Sequence, residues 1–255
     1  MGPKRNPELK APTTMPIDYQ SIYILSSGML LQQRKLETIT HNLANLNTPA
    51  FKSELVLAGV WDTPDGQRVE DNAPENPANN FVYPIVERVH TLLIQGPIRQ
   101  TGNPLDLALD GEGFFAVRSG QEVFYTRKGN FRLDAEGYLV NELGMRVLDE
   151  NNQEIRIMGS VSFAPDGSIF SEGNFVGRLG IYNLTNPQKV GRDLFTGIPQ
   201  QAQNFKVLQG FLEDSNINAI LEMAKLIEAH RAHETYANLI RALDQVQEKV
   251  SNNLV

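Results

Sequence analysis

The sequence predicts an α+β protein in which long N- and C-terminal helices pack as a coiled coil around an inserted, mainly antiparallel β-domain. Two observations support this fold class. Near both ends of the chain, apolar residues recur in steps of three and four, the spacing of one helix face. Between these ends, short apolar runs alternate with glycine-containing turns, which is typical of antiparallel strands.

The N-terminal helix and its corner are predicted within residues 17–52, after a disordered, proline-rich extension over residues 1–16. The apolar positions of the helix follow a heptad pattern with one polar member, Gln32. This pattern is long enough to suggest a coiled-coil seam, and an amphipathic helix lying on a core is the alternative. The predicted seam residues are Ile22, Leu25, Met29, Leu36, Ile39, Leu43 and Leu46.

The helix runs into "HNLANLNTPAFK" at residues 41–52, which we interpret as a fixed corner. Asparagine side chains bond nearby backbone groups and tolerate left-handed geometry, so they end helices and begin turns. The residue before Pro49 is biased toward extended geometry, and the aromatic residue that follows returns the chain to an apolar environment. An ordinary capped turn is the alternative. The predicted corner residues are Asn42, Asn45, Asn47, Thr48 and Phe51.

The middle of the chain is predicted to be an extended connection over residues 53–81 and a β-domain over residues 82–209. Asp166-Gly167 marks a hairpin turn between two short apolar runs. Gly111-Glu112-Gly113 resembles the start of a dinucleotide-binding loop. However, the third glycine is missing and Phe114 continues a strand, so a turn is predicted.

The C-terminal helix is predicted within residues 210–255, with residues 214–216 as candidate N-caps. Its apolar seam shifts around the helix midway, as a discontinuity in the heptad repeat requires. The two seamed helices are expected to pair with each other or with the same helices of neighbouring copies. The predicted seam residues are Ile217, Ile220, Ile227, Tyr236, Leu239, Leu243, Val246 and Val250.

Composition and motifs argue against an enzyme. The net charge is −7, which is unlike the basic surface of a general nucleic-acid binder, and no cysteine is present for thiolate chemistry. His230, His233 and Glu234 are the strongest candidates for a metalloenzyme or hydrolase site. Their spacing fits no zinc motif, so a helix-face ion pair or a packed histidine is favoured. The sequence therefore predicts no catalytic residue, metal, cofactor, nucleic acid or small-molecule substrate.

Several motifs occur in the order found in flagellar axial proteins. The corner resembles "NNLANxNTxGFK", and "LALDGEGFFAV" resembles the "GxGFF" segment. "YTRKGNFRLDAEGYLVNELGMRVL" resembles the family's "YTRxGxFxxDxxGxLVxxxGxxVL", and the last helix resembles "SNVNxxxEMxxMIxxQRAYExN". The chain thus resembles the bacterial flagellar basal-body rod protein family. It departs from the family at Ala50, where glycine is usual, and at His230 and His233, where glutamine and tyrosine are usual.

The resemblance implies a structural subunit that self-assembles through its terminal helices into the hollow shaft between the membrane ring and the hook. The β-domain would face outward, and the corner, repeated in every subunit, could touch neighbouring copies. Implied partners are other copies, other rod proteins and the flagellar export apparatus, with hook and ring proteins as further candidates. Export without a cleaved signal peptide to the flagellar basal body is also implied.

The type of rod protein is suggested by the length of one segment. The segment between the corner and the next strand is short, which favours the proximal-rod type over the similar distal-rod type. A module that binds helices, like an export chaperone, is the alternative from a different functional class.

Overall fold

The computed structural model describes residues 19–62, 82–191 and 193–253. The predicted extension at 1–16 and residues 63–81 of the predicted connection lie outside the described residues. Among the described residues, one helix lies near each end of the chain, and strands fill the sequence between them. The elements are α1 (Tyr19–Ala44), β1 (Glu54–Asp62), β2 (Val82–Thr91), β3 (Ile98–Gln100), β4 (Leu107–Gly111), β5 (Phe114–Ser119), β6 (Glu122–Thr126), β7 (Arg132–Leu133), β8 (Leu139–Val140), β9 (Arg146–Val147), β10 (Val161–Phe163), β11 (Ser168–Ser171), β12 (Asn174–Arg178), β13 (Ile181–Val190), β14 (Leu194–Gln201), β15 (Phe205–Gln209), β16 (Phe211–Glu213) and α2 (Ala219–Asn253).

The largest sheet has seven antiparallel strands in the order β13-β14-β6-β5-β9-β8-β7. Strand β13 also pairs with β5, so β5, β6, β14 and β13 form a closed ring of hydrogen-bonded strands. Smaller antiparallel sheets pair β15 with β4, β16 with β3, and β10 with β11 and β12. The predicted hairpin at Asp166-Gly167 is confirmed, because it joins β10 to β11, with Gly167 at φ +86°.

The β-domain is built around an apolar core that forms where alternate residues of several strands face inward. The residues of β4, β5, β9, β11 and β15 that point into this core are almost completely buried. A second apolar cluster, from β5, β6, β13 and β14, contains the aromatic contacts Phe114–Phe195 and Tyr125–Tyr182. The main core contains Leu107, Leu109, Phe115, Val117, Phe131, Leu139, Val147, Ile155, Ile157, Phe163, Ile169, Leu179, Ile181 and Val207.

Helix α1 ends at Ala44, inside the asparagine-rich stretch. The chain then tightens, since the Asn45 N–H donates to the Asn42 carbonyl at 2.9 Å. Helix α2 begins at Ala219, later than the predicted caps at residues 214–216. Asn218 caps it instead, because its Oδ1 accepts a hydrogen bond from the Leu221 N–H at 3.1 Å.

The predicted fold class, with terminal helices packed as a coiled coil around an inserted β-domain, is wrong. The described residues form a largely antiparallel β-rich core with one helix near each end of the chain. The predicted seam does not run continuously between α1 and α2, because several of its α2 members are exposed. The helices instead approach at a glycine: a Cβ added to Gly28 would lie 2.6 Å from Tyr236 Cε1. A ring seated against a glycine replaces the knobs-into-holes contacts that a coiled coil needs.

The described residues fall into two compact units. One contains those of residues 1–34, 58–87 and 228–255, and the other contains those of residues 35–57 and 88–227. The end of α1, the corner, most strands and the start of α2 all belong to the second unit. Among the described residues, neither helix is long and apolar enough to cross a membrane. The domain boundaries given above stay a prediction.

Candidate functional site

A group of buried polar side chains lies where the end of α1, the corner and the segment before α2 meet. We call this group the polar junction and define it by Asn42, Lys52, Arg127, Glu213 and Asn216. All five belong to the second unit. Four are buried and Asn216 is half-buried, so their polar atoms require partners within the protein.

Glu213 is the centre of the junction and is only 2% exposed. Its Oε1 accepts hydrogen bonds from the Lys52 ammonium and from the Gly96 N–H, the latter at 2.8 Å. Its Oε2 accepts one from Arg127 Nε at 2.7 Å. The carboxylate thus satisfies two buried cations, one from the corner and one from the end of β6.

Arg127 connects this carboxylate to the turn between β4 and β5. Its guanidinium also donates to the carbonyls of Gly113, Gly111 and Leu109, the last at 2.9 Å. Gly111 and Gly113 have φ of +107° and +122°, which L side chains rarely adopt. The turn predicted at Gly111-Glu112-Gly113 is confirmed, and two of its carbonyls accept hydrogen bonds from the Arg127 guanidinium.

The charges of the junction are unequal, with two cations and one carboxylate. Burial lowers the pKa of the Lys52 ammonium, the charge and hydrogen bond of Glu213 oppose this effect, and the charge of Arg127 adds to it. Backbone carbonyls supply the remaining negative potential, since Lys52 Nζ also donates to the Ile94 carbonyl at 2.8 Å. The arrangement holds a backbone geometry rather than a reactive group.

Two asparagine side chains bracket the segment that leaves the corner. Asn42 Oδ1 accepts from the Glu54 N–H at 2.9 Å, and its Nδ2 donates to the Glu54 carbonyl at 2.9 Å. Asn216 Oδ1 accepts from the Ser53 N–H at 2.8 Å, and its Nδ2 donates to the carbonyls of Leu92 and Ile94. These side-chain amides form the hydrogen bonds to the backbone of residues 53 and 54 that a neighbouring strand would otherwise form. They thereby fix the direction of these two residues.

The corner itself is closed by Ala50 and Phe51. Ala50 has φ +54°, and its N–H donates to the Glu213 carbonyl at 2.7 Å. This left-handed conformation is the one for which glycine is better suited, so Ala50 holds it at some cost. Phe51 is buried, with the His41 ring edge-on at 5.5 Å and the Lys189 ammonium 4.3 Å above its face.

The structure brings four of the five predicted corner residues into these contacts. Asn45 Nδ2 donates to the His41 carbonyl at 2.8 Å, and Asn45 Oδ1 accepts from Thr48 Oγ1 at 3.2 Å. Asn42 and Phe51 are buried as described above. Asn47 is exposed and stands apart from the others.

The predicted seam residues divide between the two helices. In the α1 seam and its extension into the corner, Ile39 is buried and the other members are partly covered: Ile22, Leu25, Met29, Leu36, Leu43 and Leu46. In the α2 seam, including the residue that precedes the helix, partly covered members are Ile217, Tyr236 and Leu243, and exposed members are Ile220, Ile227, Leu239 and Val246. The side chain of Val250 lies outside the described part of the chain.

His230 forms a surface pair with Glu234 on α2. His230 Nε2 lies 3.3 Å from Glu234 Oε1, one helical turn away, and both side chains are more than half exposed. His233 is half-buried. Within the described residues, no three side chains of the types that bind metal ions come together.

Sequence reasoning missed Lys52, Arg127, Glu213 and Asn216 as parts of one site. Lys52 and Glu213 directly follow apolar residues in "AFK" and "GFLE", and Arg127 directly follows the strand residues in "VFYTR". Charged residues inside apolar runs are a usable signal, because such residues are buried only when they are paired. Their pairing itself could not be inferred, because the three lie far apart in the sequence.

Family profiles match three parts of the chain. The profile "Flagella basal body rod protein" matches residues 22–52. The profile "Flagellar hook protein FlgE/F/G D1 domain" matches residues 108–209, and the profile "Flagellar basal body rod FlgEFG protein C-terminal" matches residues 208–254. Helix α1 with the corner, most of the β-domain, and α2 are therefore each matched by a separate family profile.

Whole-chain relatives agree with these profiles. The chain is 32% identical over 231 residues to the flagellar basal-body rod protein FlgF of Caulobacter vibrioides, covering 86% of this chain and 91% of the relative. The chain belongs to the flagellar basal-body rod protein family. FlgF of Mesorhizobium japonicum is 29% identical over 232 residues, covering 87% and 92% of the two chains. FlgG of Agrobacterium fabrum is 30% identical over 266 residues, covering 92% and 99%.

This rod protein is a structural subunit of the flagellar basal body, and it assembles with other rod and basal-body proteins. The family is structural rather than enzymatic. The polar junction of the rod protein unites residues from all three profile matches, since Lys52, Arg127 and Glu213 each come from a different one. The site therefore joins the three segments that the family profiles match.

Proposed function

We propose that this rod protein is a proximal-rod subunit of the FlgF type, which assembles through the apolar seams of α1 and α2. The lengths of the alignments support the type. The alignment with the A. fabrum FlgG spans 266 positions, more than the 255 residues of this chain, so that relative contains residues with no counterpart here. The alignment with the C. vibrioides FlgF spans 231 positions and covers 86% of the chain.

The observation that carries the assembly proposal is the exposed apolar stripe at the start of α2. Ile220 is 82% exposed, and Met223 and Ile227 are each 55% exposed. Burying one such side chain fully stabilises an interface by about 1.5–3 kcal/mol. Scattered apolar residues are common on protein surfaces, but these share one helix face, which is the arrangement used to dock another helix.

The corner and the export route complete the proposal. In a polymer the corner recurs in every subunit, so its fixed geometry gives each copy the same course of the chain from the end of α1 to residue 54. The partners are other copies and other rod proteins, with hook and ring proteins at the two ends of the rod.

We further propose that the chain passes through the flagellar export apparatus unfolded and keeps its N-terminus. The mass of the protein recovered from purified basal bodies would test this.

A charge placed in the α2 seam tests the proposal. Leu243→Asp puts a carboxylate at a half-covered apolar position, and an unpaired charge buried in a helix interface costs several kcal/mol. Cells in which this variant replaces the protein are expected to lack completed rods and to lose swimming, while the purified variant keeps an unchanged β-domain melting transition.

The matched control is Asn238→Asp, which adds the same charge at an exposed polar position of the same helix. Control cells are expected to swim normally. Swimming by the Leu243→Asp strain at the control rate would contradict assembly through the seam. If the protein is absent from purified basal bodies of unmodified cells, the chaperone-like alternative replaces the proposal.

A further inference from the structure

Asn42 of the polar junction also forms a side-chain hydrogen bond to α2. It is 1% exposed and uses every part of its amide. Besides its two bonds to the Glu54 backbone, its Nδ2 donates to Glu222 Oε2 at 3.2 Å. One side chain therefore joins the last turn of α1, the first residue of β1 and the first turn of α2.

Glu222 is an unusual residue to bury at the start of a helix. It is 6% exposed, and its other carboxylate oxygen accepts from Lys225 Nζ at 2.6 Å. The first turn of a helix favours a carboxylate because the unpaired backbone N–H groups carry partial positive charge. The burial of Glu222 needs a further donor, and Asn42 supplies it.

The face of α2 opposite Glu222 is the exposed apolar stripe. At about 100° per residue, Ile220, Ala224 and Ile227 lie close together and point away from Glu222. All three are exposed, whereas Leu226 on the Glu222 side is half-buried. At this helix start the buried side therefore carries a polar contact beside the half-buried Leu226, and the exposed side carries the apolar stripe.

We propose that the Asn42–Glu222 contact is a positioning pair that sets the rotation and register of α2, and thereby the direction in which its apolar stripe faces a neighbouring copy. A hydrophobic contact at this point would permit the helix to rotate or slide, because apolar packing is not directional. A hydrogen bond from an amide whose other bonds are fixed by the β1 backbone permits one arrangement. The link to a neighbouring copy rests on the proposed function, whereas the positioning itself does not.

The experiment uses the absence of cysteine in the natural chain. Thr40→Cys on α1 and Leu221→Cys on α2 are exposed sites in the second unit for two spin labels. Pulsed electron paramagnetic resonance then measures the distribution of distances between the labels in the full-length soluble protein. The positioning pair predicts one narrow distribution in the otherwise unchanged chain.

Two substitutions test the contact itself. Asn42→Asp replaces the Nδ2 donor by an oxygen that faces both the Glu222 carboxylate and the Glu54 carbonyl, so the distance distribution should broaden, with about a tenfold loss in the ratio of docked to undocked helix. Asn42→Asp combined with Glu222→Gln restores the bond between the two side chains in reversed order but not the bond to the Glu54 carbonyl, so the narrow population should partly return. Asn47→Asp, at the exposed corner asparagine, is the matched control and should leave the distribution unchanged.

Swimming of cells carrying the same variants without labels connects the pair to assembly. Loss with Asn42→Asp and recovery with the double variant support the proposal. A broad distribution in the unchanged chain, a narrow one in Asn42→Asp, or failure of the double variant to restore it overturns the positioning pair, whatever the cells do. If the distance distribution broadens and recovers in these variants but swimming does not follow it, the link to the neighbouring copy is overturned. The general assembly proposal is then decided by the Leu243→Asp test.

Discussion

The apolar core of the β-domain and the polar junction lie in the same unit but are held together by opposite means. The core consists of side chains such as Leu107, Phe115 and Val147, which are fully buried and carry no polar atoms. The junction buries Lys52 and Glu213 almost as completely, and each charged atom has hydrogen-bond partners. Buried area holds the first region, whereas matched donors and acceptors hold the second.

This difference shows that the two regions contribute differently to the stability and to the geometry of the fold. Apolar burial is roughly proportional to area and does not depend on direction, so the core supplies free energy but tolerates many arrangements of similar volume. A buried ion pair adds little net stability, because desolvation offsets the attraction, yet losing one partner costs about 3–5 kcal/mol. The junction therefore contributes geometry: it excludes other arrangements of the corner rather than stabilising the fold as a whole.

The largest expected loss of stability comes from truncating a side chain in the apolar core. Phe115→Ala removes a fully buried ring that packs edge-on against Phe131 at a centroid distance of 5.2 Å. We expect the free energy of unfolding to fall by about 3–5 kcal/mol, as measured by denaturant titration. Leu143→Ala is the control, since Leu143 is 68% exposed and should change stability by less than about 0.5 kcal/mol. Equal losses in the two variants would contradict the assignment of the core.

The next effect tests whether the junction depends on charge. Glu213→Gln keeps the shape of the side chain but leaves two buried cations without a counterion. We expect a loss of about 3 kcal/mol, near the lower end of the range for a broken buried pair, because the amide oxygen still accepts one bond. A fall in the pKa of Lys52, followed by NMR, should accompany the loss, since Glu213 opposes the lowering by burial.

The control for this prediction is the surface pair of Lys128 and Glu142. Glu142 is 54% exposed, and the hydrogen bond from Lys128 holds the pKa of its carboxyl below the usual value. A depressed carboxyl pKa stabilises the fold above the unfolded pKa, and this contribution is lost as the pH falls through the folded pKa. Glu142→Gln should therefore have a small effect, below about 1 kcal/mol at neutral pH, that fades in acid. An effect as large as that of Glu213→Gln would remove the distinction between buried and surface pairs.

The smallest effect concerns the strained residue of the corner. Ala50→Gly relieves a left-handed conformation that costs about 1–2 kcal/mol for an L residue. The gain is partly offset by about 0.4–1 kcal/mol, because glycine is more flexible in the unfolded chain. We expect a melting temperature raised by a few degrees at most. Ala50→Val should lower the melting temperature, because a β-branched residue is poorly suited to a left-handed backbone. A higher melting temperature for Ala50→Val than for Ala50→Gly would show that the backbone of the corner relaxes to another conformation.

Much of the β-domain could be predicted because its signals are local. The Asp166-Gly167 hairpin and the Gly111-Glu112-Gly113 turn depend on residues next to one another, and both were predicted correctly. Helix periodicity also located α1 and α2, although the start of α2 was predicted too early because three polar residues precede Asn218. Local chemistry therefore defines elements well and their ends less well.

The coiled coil was predicted wrongly because periodicity shows which residues share a face but not what covers that face. Ile220 and Ile227 do share a face, yet that face is exposed, and Glu222 occupies the buried side. Only one side of the contact between the helices at Gly28 carries a seam signal, because Tyr236 belongs to the predicted seam whereas a glycine has no side chain to count. The junction was missed for a related reason, because Lys52, Arg127 and Glu213 meet only in three dimensions.

The position of Glu213 in the sequence has a consequence for the order of synthesis. The bond from Lys52 spans 161 residues, and the bond from Arg127 spans 86. At about 5–20 residues per second, Lys52 leaves the ribosome roughly 8–30 seconds before its counterion does. Throughout that interval the corner cannot close without burying an unpaired cation. A chain cut short before residue 213 stays in this state permanently, so the corner forms only when the message has been read nearly to its end.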